Sequence, residues 1–164
     1  MIHTMLSLGL VFLNFQAGPK DILQDPTFKK MGDMVSGQWT GTLDKLTISF
    51  TYRYAENGKM IEGTGHVSQN GKVLANMNSR FGWDPQAKQT YYIDFHGHDT
   101  VYNGHVHLKG DKFVFDFVGL VGDKGHWISY ATMPTKNDYQ FEMYQEKGGK
   151  LVPVHMSGKL HRIQ

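Results

Sequence analysis

Turn signals recur along the chain from Gly37 to the C-terminus, and they limit its fold more than any other feature. Each is a short stretch containing glycine or asparagine, of the kind that accepts positive backbone φ and joins neighbouring strands. The distance between successive signals suits a β-strand of ordinary length. The signals are Asn57-Gly58, Asn70-Gly71, Lys109-Gly110-Asp111-Lys112, Gly122-Asp123-Lys124-Gly125, Lys136-Asn137-Asp138 and Gly148-Gly149.

These signals divide the chain into about ten strands, predicted near 38–43, 46–55, 60–69, 72–83, 89–97, 101–109, 112–119, 125–132, 138–146 and 151–162. Because every connection resembles a hairpin, the order predicts an up-and-down antiparallel meander rather than a Greek key or a βαβ fold. An open sheet would leave two unpaired edges, so we expect the first strand to pair with the last and close an all-β barrel. The 19 Gly, 10 Phe, 8 Tyr and 3 Trp suit such a fold.

The 164 residues suit a single domain with two short segments before it. Residues 1–20 are predicted to be a leader, because the apolar run from Met5 to Phe15 is too short to span a bilayer and resembles a signal peptide. A cleaved leader implies a secreted or periplasmic protein, and a retained one implies a cytoplasmic protein. Residues 21–36 are predicted to hold a short helix over one barrel mouth, starting at Asp25-Pro26. Residues 37–164 are predicted to form the β-barrel domain.

The composition argues against several function classes. The 17 Lys and Arg residues nearly balance the 15 Asp and Glu residues and are scattered singly, which gives no patch for nucleic acid. The absence of Cys rules out disulfides and thiolate chemistry. No segment predicts stable membrane insertion. Because there is no nucleophile elbow, phosphate loop or H-E-x-x-H motif, we assign no catalytic residue and favour a binding protein over an enzyme.

Period-two alternation assigns the side chains that point into the barrel. A ten-strand barrel is wider than the eight-strand barrel that side chains just fill, so we expect a hydrophobic cavity. The alternative is that the rings pack into a solid core. We predict that the cavity binds a small hydrophobic molecule, oriented by tyrosine hydroxyls. The predicted ligand-binding residues are Phe50, Tyr52, Tyr54, Met77, Phe81, Phe95, Tyr102, Phe115, Tyr139, Phe141 and Met143.

Histidines and carboxylates concentrate on three successive predicted strands. Alternation places them on the outer face: Asp94 and His96 on the first strand, His105 and His107 on the second, and Asp116 on the third. Such a group predicts a Zn or Cu site. The alternative is an ordinary polar surface, where ion pairs contribute little.

Two motifs carry a family resemblance: Gly37-Gln38-Trp39-Thr40-Gly41 in the first strand, and Phe81-Gly82-Trp83-Asp84-Pro85 before a tyrosine-rich strand. With them, the chain from Phe28 to Ile163 resembles the calycin superfamily, and within it the uncharacterised lipocalin-like β-barrels with a G-x-W-x-G start and a G-[YW]-D-P turn. The resemblance implies a barrel that holds a small apolar molecule, with no agreed activity. It also implies that Trp39 is covered by Arg162 in a structural cation–π contact.

The last strand also resembles that of the nitrobindins, ten-stranded barrels in which a His of this strand ligates haem iron. The stretch is His155-Met156-Ser157-Gly158-Lys159-Leu160-His161-Arg162, and the resemblance implies His155 as the proximal ligand. The chain departs from the pattern, since alternation turns His155 outward unless a bulge at Pro153 reverses it. The sequence therefore leaves two hypotheses for the lumen. In the first the protein binds an apolar ligand and has no cofactor, and in the alternative it binds haem. An enzyme acting on a small apolar substrate in the barrel mouth is a further alternative.

Overall fold

The computed structural model describes residues 22–35, 37–154 and 156–163. Two short 3-10 helices, Ile22–Gln24 and Gly32–Met34, flank the helix α1, Pro26–Met31. The strands are β1 (Gln38–Leu43), β2 (Leu46–Tyr54), β3 (Ile61–Gln69), β4 (Lys72–Asp84), β5 (Gln89–His96), β6 (Thr100–Lys109), β7 (Lys112–Val121), β8 (His126–Thr135), β9 (Asp138–Lys147), β10 (Lys150–Pro153) and β11 (Gly158–Ile163).

Antiparallel pairing closes these strands into a barrel. Each strand from β1 to β8 pairs with the next, and β9 returns through β11 to β1. Because β10 and β11 both pair with β9, the eleven segments fill ten positions around the barrel. Hairpin turns use residues with positive φ, such as Asn70 at 50° and Gly71 at 78° between β3 and β4. The predicted all-β, up-and-down antiparallel barrel of ten strands is confirmed.

The last predicted strand, 151–162, is interrupted. Proline has no backbone N–H, so the regular ladder with β9 stops at Pro153. Beyond Pro153, the Met156 N–H donates to the Val154 carbonyl at 2.6 Å. Pairing with β9 resumes at Gly158, opposite Phe141. The predicted strand is therefore β10 and β11, two segments on the same edge of β9.

Helix α1 covers one end of the barrel. Asp25 caps the helix by accepting the backbone N–H of Thr27 at 2.7 Å. Pro26 takes the first helical position, where an N–H has no intrahelical partner in any case. Phe28 and Met31 are buried, and both join barrel residues in one hydrophobic cluster. We call this end the closed end.

Trp39 anchors the closed end from β1. Its ring is 1% exposed, and its Nε1 donates to the Met34 carbonyl at 3.0 Å. The guanidinium carbon of Arg162 lies 4.5 Å from the centroid of the Trp39 ring, and a guanidinium nitrogen donates to the Asp33 carbonyl. The cation–π contact implied by the sequence resemblance is therefore present, and it ties the last strand to the first strand and to the helical segment.

The opposite end carries tight turns, near residues 44–45, 70–71, 97–99, 122–125 and 148–149. Among the residues that the structure describes, no helix lies over this end, which we call the open mouth. Within the same part of the chain, no helix has the length and apolar character needed to cross a membrane.

Candidate functional site

The lumen of the barrel holds nine of the eleven predicted ligand-binding residues, as members of two hydrophobic clusters. The two predicted residues outside these clusters are Tyr54 and Phe95. Tyr54 lies at the closed end. Its ring centroid is 6.2 Å from that of Phe28, and the residue stays 45% exposed. The nine residues in the clusters are Phe50, Tyr52, Met77, Phe81, Tyr102, Phe115, Tyr139, Phe141 and Met143.

The predicted facing of strand β5 is wrong by one residue. Phe95 was expected to face inward, but it is 38% exposed, whereas Thr90 and Asp94 are 0% and 5% exposed. The register explains the shift, because the inward residue Phe81 pairs with Tyr92. Because Tyr91, Tyr92 and Ile93 are all apolar, alternation alone does not decide whether Tyr92 or its two neighbours face the lumen. A slip of one residue turns every side chain of the strand to the other face.

The corrected register brings four polar residues together on the lumen wall. Asp94 accepts hydrogen bonds from Ser79 Oγ at 3.1 Å and from Tyr92 OH at 2.7 Å. The Nε2 atom of His96 lies 2.7 Å from the Asp94 carboxylate. We call Ser79, Tyr92, Asp94 and His96 the lumen polar cluster. A buried carboxylate is costly unless it is hydrogen-bonded, and these contacts meet that need.

His96 is the member of the cluster nearest the open mouth. It is the last residue of β5, directly before the turn at 97–99. Its side chain is 35% exposed, and its ring meets Tyr102 edge to face with centroids 5.2 Å apart. In the part of the chain that the structure describes, Nδ1 of His96 has no hydrogen-bond partner. This nitrogen therefore has hydrogen-bonding capacity that the described residues do not use.

Aromatic rings surround the deeper part of the cluster. The centroid of the Tyr92 ring lies 5.1 Å from that of Phe81, 5.5 Å from that of Phe115 and 5.8 Å from that of Phe117. Burial, followed by the charge of the Asp94 carboxylate, raises the pKa of the Tyr92 hydroxyl well above its usual value. Tyr92 therefore keeps its proton at neutral pH and serves as a fixed donor to Asp94.

Three further polar atoms are buried in the barrel, at both of its ends, without a hydrogen-bond partner among the described residues. They are Trp83 Nε1, Thr90 Oγ1 and Trp127 Nε1. Trp83 and Thr90 face each other across β4 and β5, toward the closed end. Buried polar groups in native proteins are satisfied by protein, by ordered water or by a ligand. These atoms therefore offer hydrogen-bonding capacity that the described protein groups do not use.

The five predicted metal-binding residues lie on two different faces of the barrel wall. Asp94 and His96 point into the lumen, which corrects the prediction that they face outward. His105 Nε2 instead contacts Asp84 at 2.9 Å, and His107 is exposed. The shift of β5 by one residue separates the two halves of the predicted site. Searching residues 22–35, 37–154 and 156–163 finds no group of three or more His, Asp or Glu residues positioned to hold a metal ion.

Asp116 pairs with His126, a contact that the sequence reasoning missed. His126 Nε2 lies 2.7 Å from Asp116, and its Nδ1 contacts Glu146. The hydrogen bond to Asp116, aided by the one to Glu146, raises the pKa of His126. All three residues lie on the outer face of β7, β8 and β9, away from the lumen polar cluster. The contact depends on the register of β7 with β8, which pairs Val118 with His126.

The outer wall also carries a groove of about 680 Å³ across β1, β11, β9 and β8. It shares no residue with the lumen polar cluster. Its lining mixes polar and apolar groups, and includes Thr40, Tyr130, Gln140, Glu142 and Lys159. The groove has neither a buried charge nor a convergent set of hydrogen bonds, so the lumen is the stronger candidate site.

The predicted haem ligand His155 lies outside the described residues, as does the predicted leader, 1–20. The haem alternative and the leader therefore stay predictions.

These features define a closed antiparallel barrel with one helix-covered end and polar groups inside an aromatic lumen. The chain is similar to the crystal structure of Rv2717c from M. tuberculosis, with a TM-score of 0.59 and 13% sequence identity over 85% of this chain and 98% of that chain. At this identity the likeness establishes the barrel fold alone. No protein-family model matches the sequence, and no curated protein matches it.

Proposed function

We propose that the protein binds a small hydrophobic molecule in the lumen, through the open mouth. The observation that carries this proposal is the lumen polar cluster inside a wall of aromatic rings, in which Nδ1 of His96 has no partner among the described residues. Desolvating a carboxylate such as that of Asp94 is costly, so its contact with His96 is weak evidence for a contribution to stability. A role in contacting the polar group of a ligand would explain why His96 lies near the mouth. Aromatic surface with a few convergent polar groups is typical of small-molecule sites.

Exposure along the barrel supports entry through the open mouth. At the closed end Phe28 and Phe113 are 2% and 0% exposed. Tyr102, Trp127 and Met143, which pack on the same cluster, are only partly buried. An entering molecule would contact these partly buried side chains without unpacking the closed end. Removal of its apolar surface from water would drive binding, at about 25 cal/mol per Å².

The first test is native mass spectrometry, with a visible absorption spectrum, on protein purified from its own host without added ligand. We expect an organic molecule to co-purify in the complex, with no Soret band. A haem mass with a Soret band would instead support the haem alternative. If no molecule co-purifies and no apolar fluorescent dye binds, the proposal is wrong.

A pair of variants on one strand locates the bound molecule. Met143→Trp enlarges a lumen side chain of β9, and we expect it to weaken binding of an apolar dye at least tenfold. Its control is Tyr144→Trp, at the next position, whose side chain contacts Tyr130 and Glu142 on the outer face. This control should bind the dye like the wild type. Equal loss in both variants, with both folded by circular dichroism, would place the dye outside the lumen.

A further inference from the structure

We propose that the lumen ligand is a flat aromatic molecule with a phenol-type or enol-type hydroxyl, which donates a hydrogen bond to Nδ1 of His96. This inference rests on the proposed function and specifies the chemical class of the ligand. It follows from three properties of the lumen polar cluster: the position of the imidazole proton, the charge already in the lumen, and the shape of the surrounding rings.

The position of the proton follows from the hydrogen bonds to Asp94. Its Oδ1 accepts from Ser79, and its Oδ2 accepts from Tyr92. An ionised carboxylate has only acceptor sites, so the third contact, to Nε2 of His96, requires the imidazole to donate. In its neutral form the imidazole then carries its single proton on Nε2, and Nδ1 presents a lone pair. Among the described residues nothing donates to Nδ1, so in this form the nitrogen selects a hydrogen-bond donor.

The charge of Asp94 argues for a neutral donor. A ligand carboxylate would bring a second negative charge close to the first, in a region where water screens poorly, and it would meet a lone pair instead of a donor. A ligand ammonium would lose its hydration while the Asp94 oxygens are already engaged by Ser79, Tyr92 and His96. A neutral hydroxyl avoids both costs and supplies the proton that Nδ1 accepts.

The rings around His96 favour a flat, aromatic body for the ligand. Tyr102 meets His96 edge to face at 5.2 Å, and Phe117 meets Tyr102 in the same way at 5.5 Å. Tyr102 is only partly buried, so part of its ring faces the mouth. Aromatic rings prefer edge-to-face or offset stacked contacts with other rings. A planar aromatic ligand can make such contacts while its hydroxyl points to Nδ1.

The test measures the dissociation constants of four naphthalenes for the full chain by fluorescence titration at neutral pH. They are 2-naphthol, 2-methoxynaphthalene, 2-naphthoate and 2-naphthylmethylammonium. We expect 2-naphthol to bind about tenfold more tightly than 2-methoxynaphthalene, the loss typical of one hydrogen bond, and more tightly than either charged compound. His96→Phe should bring 2-naphthol and 2-methoxynaphthalene within twofold of each other. His107→Phe, an exposed position on the neighbouring strand, should leave the preference unchanged.

Each alternative result has a distinct meaning. Equal affinity for 2-naphthol and 2-methoxynaphthalene in the wild type would overturn hydroxyl recognition, while lumen binding would stand. Tightest binding of the carboxylate or of the ammonium would overturn the proposed ligand class. If none of the four compounds and no apolar dye binds, the proposed function fails, and this inference fails with it.

A second measurement does not depend on any variant. In ¹⁵N spectra of the ligand-free wild type at neutral pH, we expect the proton of His96 on Nε2 and none on Nδ1. Addition of 2-naphthol should shift the Nδ1 resonance while Nε2 keeps its proton. A proton on Nδ1 in the ligand-free protein would overturn the proposal, because Nδ1 would then select an acceptor.

Discussion

The two ends of the barrel are built differently, although the same strands run through both. At the closed end, Phe28, Met31 and Trp39 are 1–2% exposed, and a backbone carbonyl satisfies the Trp39 indole N–H. At the open mouth, His96 and Tyr102 are partly buried, and Nδ1 of His96 has no partner among the described residues. Around Trp39 the closed end completes its own contacts, whereas at the open mouth the described residues leave Nδ1 of His96 unused. Stability and recognition are therefore expected to be separable by mutation.

The largest expected effect is at the closed end. Trp39→Ala should lower the free energy of unfolding by about 3–5 kcal/mol, because it removes a fully buried ring and leaves a cavity. Urea unfolding measures the loss. The remaining folded protein should bind an apolar dye as the wild type does. Trp39→Phe, which keeps most of the packing, should lose less. A loss below about 1 kcal/mol for the alanine variant would contradict the structural role of Trp39.

The next largest effect is expected in the lumen polar cluster, where a substitution should reduce both stability and ligand affinity. Asp94→Ala leaves the hydroxyls of Ser79 and Tyr92 without their acceptor, so we expect a loss of about 1–3 kcal/mol of stability. It should also reduce the affinity for 2-naphthol, because His96 loses the contact that orients it. Asp116→Ala, on the outer face, serves as the matched carboxylate control. Full stability and affinity in Asp94→Ala would show that the cluster has neither role.

A smaller effect is expected at the contact between the last strand and the first. Arg162→Met keeps the apolar stem but removes the guanidinium above the Trp39 ring, at an expected cost of about 0.5–2 kcal/mol. Lys159→Met changes an exposed residue of the same strand and should cost nothing measurable. Thermal or urea unfolding distinguishes the two. Equal stability of both variants would assign Arg162 no part in closing the barrel.

The smallest expected effect on stability comes from His126 on the outer wall, and it depends on pH. Its pKa is raised by the hydrogen bond to Asp116, so its charged form is more favoured in the folded state than in the unfolded state. The stabilisation is therefore present at acidic pH and is lost as pH rises through the folded pKa. Asp116→Asn should lower the His126 pKa, as followed by proton NMR of its ring. An unchanged titration midpoint would exclude this pair as the cause.

Much of the fold could be predicted, because turns and caps are local. Asn70 and Gly71 mark a hairpin by their tolerance of positive φ, and Asp25 with Pro26 marks a helix start. The contact of Trp39 with Arg162 was implied by family resemblance. Each of these features depends on neighbouring residues or on a short motif, not on the packing of the whole barrel.

The candidate site could not be predicted in the same way, because it depends on the phase of one strand. The register of β4 with β5 is fixed by the turn that starts at Asp84, whose side chain accepts the N–H of Gln86 at 2.8 Å. Had the inward position of Phe81 been carried through this turn, Tyr92 and Asp94 would have been placed inside the barrel. Alternation within β5 gave no such constraint, since both of its faces carry apolar residues.

The most direct test of the central claim compares the two ends in one experiment. Methionine methyl groups labelled with ¹³C report on both, since Met143 packs in the lumen and Met31 and Met34 are buried at the closed end. Upon titration with 2-naphthol, we predict that the Met143 methyl and the His96 ring shift together, while Met31 and Met34 stay unchanged. Shifts largest at the closed end, or at the outer-wall residue His161, would contradict binding through the open mouth.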